Sequence, residues 1–451
     1  MLNKEKGSFT KSQWSLLILF GLIGQIAWSV ENMYFNVFVF EEVSKSLETI
    51  TLMVQLSGVV ATVATLVAGT LSDKLGNRRS FISFGYAIWG VTVALFGFLT
   101  PELVAKLFSL GLDRAVSVTL VLVVVGDCIM TLFGSTANDA AFNAWVTDNT
   151  KSSFRGKVEG VLAILPLAAM LIVAGGFGIL VSLTSYRTVF LILGIVISIS
   201  GIFGVFVFRD RCDLERSGSM KDIFYGFRPS VIKANPTLYI SLLVILVYGI
   251  ACQIFMPYLI IYMKTFLCFS EIEYSIVFGL AIALGAAVNL YLTRLSDRMN
   301  KAKLLYFAAA VMSAGLFGMY FARGIEKAPL LIVFGFFGFV MITGYIFISA
   351  LTGSIVRDNT PEGEVGKLQG VRMVFSVLIP MLVGPMIGNA INAARKMPLP
   401  EGNPEADMMT TLYIPAPEIF LAAALASLLI IAIIPLLTRL SRKGQNEKIG
   451  S

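Results

Sequence analysis

Twelve long apolar runs constrain this chain more than any other feature of its sequence. A helix of about 20 apolar residues crosses a hydrocarbon core of roughly 30 Å. Lipid cannot satisfy backbone polar groups, so a spanning segment must be a helix or a barrel strand, and these runs lack the alternation of barrel strands. The runs therefore predict twelve transmembrane helices, α1 to α12, at residues 14–40, 47–70, 80–100, 115–146, 158–183, 187–208, 237–264, 272–293, 302–322, 329–355, 367–392 and 417–438.

The composition agrees with a membrane protein and excludes a soluble one. Only 14% of the residues are charged and 57% are hydrophobic, whereas about 25% of the residues of a soluble protein are charged. The polar start, MLNKEKGSFTKSQW, leads directly into the first apolar run without a short apolar core and cleavage site. We therefore expect a retained first helix rather than a signal peptide, and an all-α integral membrane protein.

The basic residues predict the orientation of the helices. Most of the 35 lysines and arginines lie in the two terminal tails and in the loops that follow α2, α4, α6, α8 and α10. The positive-inside rule then places both termini in the cytoplasm, in a cell membrane (the inner or plasma membrane). The net charge of +7 is explained by this orientation and by anionic lipid, so no nucleic-acid partner is expected.

Three pairs of similar segments, in the same order in both halves, indicate an internal duplication. GLIGQI at Gly21 resembles GIACQI at Gly249, and the loop GTLSDKLGNRRSF resembles TRLSDRMNKAKLL, which aligns Asp73 with Asp297. The third pair is AWVTDNTKSSFRGKVEGV and SIVRDNTPEGEVGKLQGV. The repeats predict a six-helix bundle at 1–208, a cytoplasmic linker at 209–236, and a second bundle with a short tail at 237–451.

The loop after α2 also carries a resemblance to a known family. The stretch GTLSDKLGNRR, from Gly69 to Arg79, resembles the signature of the major facilitator superfamily between helices 2 and 3. The resemblance covers the whole chain. It implies two pseudo-symmetric six-helix bundles around a central cavity, which transport by alternating access.

A weaker resemblance concerns α4. NDAAFNAWVTDNTKSSFRGK is similar to the helix 4 region of the glycoside–pentoside–hexuronide cation symporters, and this likeness implies that Asp139 helps to bind the coupling cation. Where those symporters carry two carboxylates on helix 2, this chain has Ser57 and Ala61. Their lysine on helix 11 falls near Met381.

The duplicated polar loops suggest a cytoplasmic gate. A carboxylate is stabilised at a helix N-terminus, so we expect Asp73 to meet the start of α11 near Gly366 and Asp297 to meet the start of α5 near Gly156. Arg78, Arg155 and Arg357 would add ion pairs; ordinary solvated loops are the alternative. The predicted gate residues are Gly69, Asp73, Gly76, Arg78, Asp148, Arg155, Gly156, Asp297, Asp358 and Gly366.

Four ionisable residues within the predicted spans have no counterpart in the other half: Glu31, Asp127, Asp139 and Arg372. Because an ionisable group inside a membrane is costly, these are the candidate ion- or proton-coupling residues. Each residue also has an alternative interpretation. Asp127 and Asp139 could be hydrogen-bonded structural carboxylates, Glu31 could face water at the outer mouth, and Arg372 could snorkel to the inner surface.

The period of 3.6 residues divides the polar side chains of α4 into two stripes. Asp127, Thr131, Gly134 and Asn138 form one, and Ser135, Asp139 and Asn143 form the other. Which stripe faces the cavity stays open at this point.

Amide and aromatic side chains are the candidate solute ligands. Carboxamides both donate and accept hydrogen bonds, and an indole covers the C–H face of a sugar. The predicted solute-binding residues are Gln25, Trp28, Asn32, Asn36, Asn143, Gln253, Tyr258 and Tyr345.

These features predict a transporter rather than an enzyme. The chain has no histidine, its four cysteines are scattered, and no phosphate-binding or metal-binding spacing occurs, so we expect no cofactor and no metal. We expect a monomeric secondary transporter of a small polar solute, a sugar or glycoside, coupled to H⁺ or Na⁺. The alternatives are a proton-driven exporter of amphipathic drugs and a non-transporting receptor.

Overall fold

The computed structural model describes residues 10–150, 155–210, 220–296, 299–361, 365–397 and 413–449. Over these residues it has twelve helices long and apolar enough to cross a membrane, which confirms the predicted all-α membrane fold. The spans are α1 (Lys11–Val43), α2 (Leu47–Leu75), α3 (Arg78–Phe96), α4 (Leu112–Asn149), α5 (Gly160–Leu183), α6 (Tyr186–Val207), α7 (Pro236–Thr265), α8 (Glu271–Arg294), α9 (Lys301–Phe321), α10 (Lys327–Asn359), α11 (Leu368–Arg395) and α12 (Glu418–Arg439).

Local sequence signals fix several helix ends. The Thr10 side chain accepts from the Gln13 backbone and Gln13 bonds back to Thr10, which forms a capping box at the start of α1. Between α2 and α3 the chain turns at Gly76, whose φ of 63° favours glycine, and the Asn77 side chain then caps α3. The α3 helix ends at Phe96, four residues before the predicted end, and a separate short helix, Pro101–Phe108, follows it.

Short π-helical stretches interrupt four of the spans. They lie at Glu31–Phe35 and Val39–Val43 in α1, at Ser135–Phe142 in α4, at Val173–Phe177 in α5 and at Val374–Leu378 in α11. Such stretches are frequent at functional sites. Two of them carry candidate residues, because the first begins at Glu31 and the third contains Asp139.

The chain divides into two compact units. The first is Met1–Ser44 with Val59–Met220, and the second is Lys45–Gly58 with Lys221–Ser451. Hydrogen bonds explain why the N-terminal half of α2 belongs to the second unit. The Thr51 hydroxyl lies 2.6 Å from the Tyr258 hydroxyl, and the Gln55 amide donates to the Leu382 carbonyl at 2.8 Å. The domain boundaries at 208 and 237 stay a prediction.

Candidate functional site

Contacts between α1 and α4 run in opposite directions along the two helices. Residue numbers rise along α1 as they fall along α4, so the two helices are antiparallel. The contacting pairs are Gly21 with Phe142, Gly24 with Asn138, Trp28 with Gly134, and Glu31 with Thr131. This register brings the candidate residues of α1 beside those of α4 in the first unit.

Two glycines allow this close approach. A Cβ on Gly24 would collide with Asn138 Oδ1 and would lie 2.7 Å from the Tyr86 hydroxyl. A Cβ on Gly134 would lie 2.7 Å from the Trp89 indole and 3.1 Å from that of Trp28. A side chain at either position would displace polar or aromatic groups of the site.

The first carboxylate cluster is centred on Glu31. The Thr131 hydroxyl donates to Glu31 Oε1 at 3.0 Å, and among the described residues Glu31 Oε2 has no hydrogen-bond partner. Asp127 lies one helical turn before Thr131 and its charge acts on Glu31. The three side chains are 7% (Glu31), 1% (Asp127) and 1% (Thr131) exposed. Two buried carboxyl groups in one neighbourhood resist simultaneous ionisation, so the cluster is suited to holding a proton.

The second cluster surrounds Asp139. The Asn138 amide donates to Asp139 Oδ1 at 2.9 Å, and the Tyr86 hydroxyl donates to Asn138 Oδ1 at 2.9 Å. Ser135 lies one helical turn before Asp139, and Trp28 of α1 contacts the adjacent Gly134. Among the described residues neither Ser135 Oγ nor Trp28 Nε1 has a hydrogen-bond partner. Asp139 is half-buried. This cluster therefore places a partly accessible carboxylate near a buried hydroxyl and a buried indole N–H.

The structure distinguishes the two predicted stripes of α4. Asp127, Thr131, Gly134 and Asn138 are all buried, and they face α1 and α3. In the other stripe, Ser135 is buried, Asp139 is half-buried and Asn143 is exposed. The second stripe is therefore the more accessible one. The two carboxylates of α4 are twelve residues apart, which corresponds to about 18 Å along a helix.

The predicted amide ligands of the first unit differ in exposure. Gln25 is half-buried, Asn36 is buried, and Asn32 and Asn143 are exposed. The three asparagines each donate one bond to a carbonyl of their own helix, four residues earlier, at 2.8–3.1 Å. These bonds use only the amide nitrogens, so the side-chain oxygens could accept hydrogen bonds from a solute.

The second unit holds the other predicted solute ligands. The Tyr248 and Tyr345 rings lie 5.4 Å apart, and the Tyr248 hydroxyl donates to the Tyr345 carbonyl at 3.3 Å. Gln253 is half-buried and packs closely on Gly384. Tyr258 is 0% exposed and donates to the Pro385 carbonyl at 3.0 Å. These contacts favour a structural role for Tyr258, and its solute-binding role stays a prediction.

Arg372 lies on the exposed side of α11, close to the start of that span. Its exposure is what the snorkelling alternative expects. A coupling role for this arginine stays a prediction.

An ion-pair network occupies the predicted gate of the first unit. Arg78, with a side chain only 7% exposed, pairs with Asp73 and donates to Asp148 Oδ2 at 3.0 Å and to Ser72 Oγ at 2.5 Å. Asp210 accepts from the backbone N–H groups of Arg78 and Arg79 at 2.8 and 3.0 Å. The network joins the ends of α2, α3, α4 and α6, so Asp73 already has a partner within its own unit.

The second unit has a smaller counterpart. Lys301 donates to Asp358 Oδ2 at 2.6 Å and to Ser354 Oγ at 2.7 Å, and its side chain is 31% exposed. Two of the predicted gate glycines of the first unit have different surroundings: Gly69 is half-buried beside Ala140, and Gly76 forms the turn described above.

Part of the predicted gate lies outside the described residues. This applies to Asp297, to the Arg155 side chain, and to the contacts of Gly156 and Gly366. Their pairing with the helix starts therefore stays a prediction.

Several residues of these networks carry no functional signal in the sequence. Tyr86 and Trp89 read as ordinary aromatics of an apolar helix, yet both are fully buried against the candidate site. Asp210 and Lys301 read as loop charges. The only available signal was their position at a helix boundary, where capping carboxylates and paired cations are common.

Comparisons with known proteins agree with this fold. The family model of the Major Facilitator Superfamily matches residues 17–385. No curated protein matches the sequence. Solved structures match at low identity, so they support the fold alone.

Three of those structures are transporters. A bacterial homologue of the human lysosomal transporter Spinster, in an inward-facing and unoccupied conformation, has a TM-score of 0.67 at 14% identity, covering 96% of this chain and 98% of the other. The nucleoside transporter NupG has a TM-score of 0.64 at 12% identity, covering 94% of this chain and 99% of the other. A bacterial homologue of the iron transporter ferroportin, in an outward-facing state, has a TM-score of 0.61 at 13% identity, covering 95% of this chain and 100% of the other.

The matched family model spans most of the twelve helices, including those that carry the buried carboxylates. The fold is that of a transporter and not of an enzyme. The chain belongs to the major facilitator superfamily.

Proposed function

We propose that the protein is a secondary active transporter that moves a small polar solute, a sugar or glycoside, together with protons. The observation that carries this proposal is the pair of separate carboxylate clusters along the α1–α4 contact. One cluster is deeply buried and the other is partly accessible. A symporter needs two such places, one for the ion and one for the solute.

The accessible cluster supports solute binding. Asp139 accepts hydrogen bonds, Ser135 and Trp28 supply donors beside it, and Gln25 lies on the neighbouring turn of α1 by the helix register. Sugars are recognised by such bidentate polar groups together with an aromatic plane. The same arrangement is less suited to a lipophilic drug, which needs apolar rather than hydrogen-bonding surface.

The buried cluster supports proton coupling. Glu31 and Asp127 each take less energy to bury when protonated, and their mutual repulsion ends when one of them carries a proton. A sodium ion needs several oxygen ligands at short range, whereas a proton needs only one carboxylate oxygen. Glu31 Oε1 accepts from Thr131, and Oε2, which has no hydrogen-bond partner among the described residues, is the oxygen that would carry the proton.

The orientation and the gate complete the proposal. Both termini would lie in the cytoplasm of a cell membrane, as the distribution of basic residues predicts. The Arg78 network and its counterpart at Lys301 would then lie on the cytoplasmic side, where they stabilise the ends of the helices that move during transport.

Two measurements test the solute. The purified protein is heated with a panel of sugars, glycosides and lipophilic cations, and solute uptake into proteoliposomes is then measured under imposed proton or sodium gradients. We expect stabilisation by a sugar or glycoside that is lost in D139N and Q25A. The matched control is D113N, because Asp113 is an exposed carboxylate on the same helix.

The alternatives predict different outcomes. Stabilisation by lipophilic cations alone would favour the drug exporter. Sugar binding without flux under any gradient would favour a receptor. Uptake driven by sodium but not by protons would contradict the coupling part of the proposal.

A further inference from the structure

The segment that precedes α7 has two contrasting faces. It consists of two short helices, Met220–Phe227 and Pro229–Ala234, which end immediately before α7 begins at Pro236. Because the segment leads directly into a membrane span, it lies where that span meets the edge of the bilayer.

One face packs against the second unit. A Cβ on Gly226 would lie 2.9 Å from Val371, and the Tyr239 hydroxyl donates to the Gly226 carbonyl. Val231 is buried in an apolar cluster with Leu238, Leu242, Val356, Leu368 and Val371. These contacts hold the segment on the starts of α7 and α11 and the end of α10.

The opposite face is apolar and basic. Phe224, Phe227 and Ile232 are 68%, 39% and 40% exposed. Arg228 and Lys233 are exposed on the same segment, and the Arg228 guanidinium lies 5.3 Å from the centre of the Tyr225 ring. Large apolar side chains next to basic groups are characteristic of segments that lie in a membrane interface, with the apolar groups at the acyl boundary and the cations among the headgroups.

We propose that this face is a binding surface for anionic phospholipid. Arg228 and Lys233 contact the headgroup phosphates, and Phe224, Phe227 and Ile232 insert at the acyl boundary. The charge of the two basic side chains is complementary to an anionic leaflet. Phe224 and Ile232 are not covered by any other described part of the chain. Because α7 begins directly after the segment, the bilayer that surrounds α7 lies next to these side chains.

The proposal has a structural consequence. The docked face touches Val371 and Leu368 at the start of α11, so a lipid that holds the segment also restrains that helix start. The surface is independent of the solute and of the coupling ion.

Two measurements on the full-length protein test it. The first is native mass spectrometry after extraction from bilayers of phosphatidylcholine mixed with phosphatidylglycerol. We expect the R228Q/K233Q variant to retain severalfold less phosphatidylglycerol than the unmodified protein. The charge-matched control K74Q/R79Q removes two exposed basic groups from the α2–α3 region and should keep its lipid.

The second measurement uses fluorescence of F227W in proteoliposomes, as the difference from the unmodified protein. We expect quenching by brominated lipid and little quenching by aqueous iodide. Quenching by iodide alone would place this face in water and overturn the proposal. Equal retention of phosphatidylglycerol by R228Q/K233Q and the unmodified protein would overturn its anionic specificity.

Neither readout requires a transported solute. A negative result here therefore leaves the proposed transport function unaffected, and failure of solute uptake leaves the lipid surface unaffected. Variants are compared only when they elute as folded protein in size-exclusion chromatography.

Discussion

The Thr131 hydroxyl donates a 3.0 Å hydrogen bond to the Glu31 carboxylate, and this bond joins α4 to α1 deep inside the first unit. The bond exists because the antiparallel register of the two helices places these residues at the same level. Asp127, one turn away on α4, adds a second carboxyl group to the same buried region. A proton in this cluster would relieve the repulsion between the two carboxyl groups.

Neutralising either carboxyl group should separate coupling from transport. We expect E31Q and D127N to lose proton-driven accumulation by at least about tenfold, because a loss of about 1.4 kcal/mol in coupling corresponds to a factor of ten. Solute exchange without a proton gradient should continue, since it needs no net proton movement. Uptake and counterflow in proteoliposomes measure the two processes.

The control for these variants is E102Q, which neutralises an exposed carboxylate outside the spans. A shared proton also predicts that E31Q/D127N is no worse than either single variant. Loss of counterflow in both single variants would contradict the assignment and would indicate a solute-binding role instead.

The sequence predicted the fold well because hydropathy alone identifies segments that lipid can surround. It also singled out Glu31 and Asp127, because a charged group in an apolar run is conspicuous. The contribution of Tyr86 could not be predicted, since its bond to Asn138 depends on how α3 packs on α4. The π-helical stretch at Ser135–Phe142 was equally hidden, because no residue pattern in the sequence marks it.

The same limit applies to the gate. The signature loop predicts Asp73 and Arg78 as gate residues, and the predicted partners of Asp73, at the start of α11, stay a prediction. The structure shows Asp73 and Asp148 around Arg78 within the first unit. Pairing of this kind arises because the ends of four helices meet in the folded protein. The periodicity of a single helix carries no information about such contacts.

Removing Arg78 should destabilise the protein more than removing either of its partners. R78Q would remove the cation that pairs with the Asp148 carboxylate, which is 18% exposed, and breaking a buried pair from one side costs up to about 3–5 kcal/mol. Asp73 is 43% exposed, so water screens its charge and D73N should have the smaller effect on stability. Thermal unfolding of purified protein measures each change.

The neighbouring Arg79 provides the control for this series. Its side chain is exposed and its backbone N–H bond to Asp210 survives substitution, so R79Q should melt close to the unmodified protein. Equal melting temperatures for R78Q and R79Q would show that the network contributes little. D73N should insert normally and transport poorly, which uptake per inserted molecule would reveal.

Adding a methyl group at Gly24 should disturb the accessible carboxylate cluster. In G24A the new Cβ would collide with Asn138 Oδ1 and crowd the Tyr86 hydroxyl, which together orient Asp139. Overpacking of this kind costs about 1–3 kcal/mol. We expect a lower melting temperature and weaker solute binding in the thermal-shift experiment.

G160A is the matched control, because a Cβ on Gly160 would meet no atom of the described residues within 4 Å. Alanine is a better helix former than glycine, so this variant should be unchanged or slightly more stable. If G24A bound solute as tightly as G160A, the Tyr86–Asn138–Asp139 chain would not be needed for recognition.

The Thr51–Tyr258 bond attaches the N-terminal half of α2 to α7, and its removal should weaken that attachment. Y258F and T51V each delete one hydroxyl of the 2.6 Å contact while keeping the shape of the side chain. The net value of a buried hydrogen bond is about 0.5–1.5 kcal/mol, so each variant should melt a few degrees lower. Because both substitutions break the same bond, T51V/Y258F should be less destabilised than the sum of the two single effects.

T49V is the control, since the Thr49 hydroxyl bonds only to Ser46 of the preceding turn among the described contacts. Strictly additive effects would show that the two hydroxyls do not stabilise each other. A loss of solute binding in Y258F with an unchanged melting temperature would instead support the predicted solute-binding role of Tyr258.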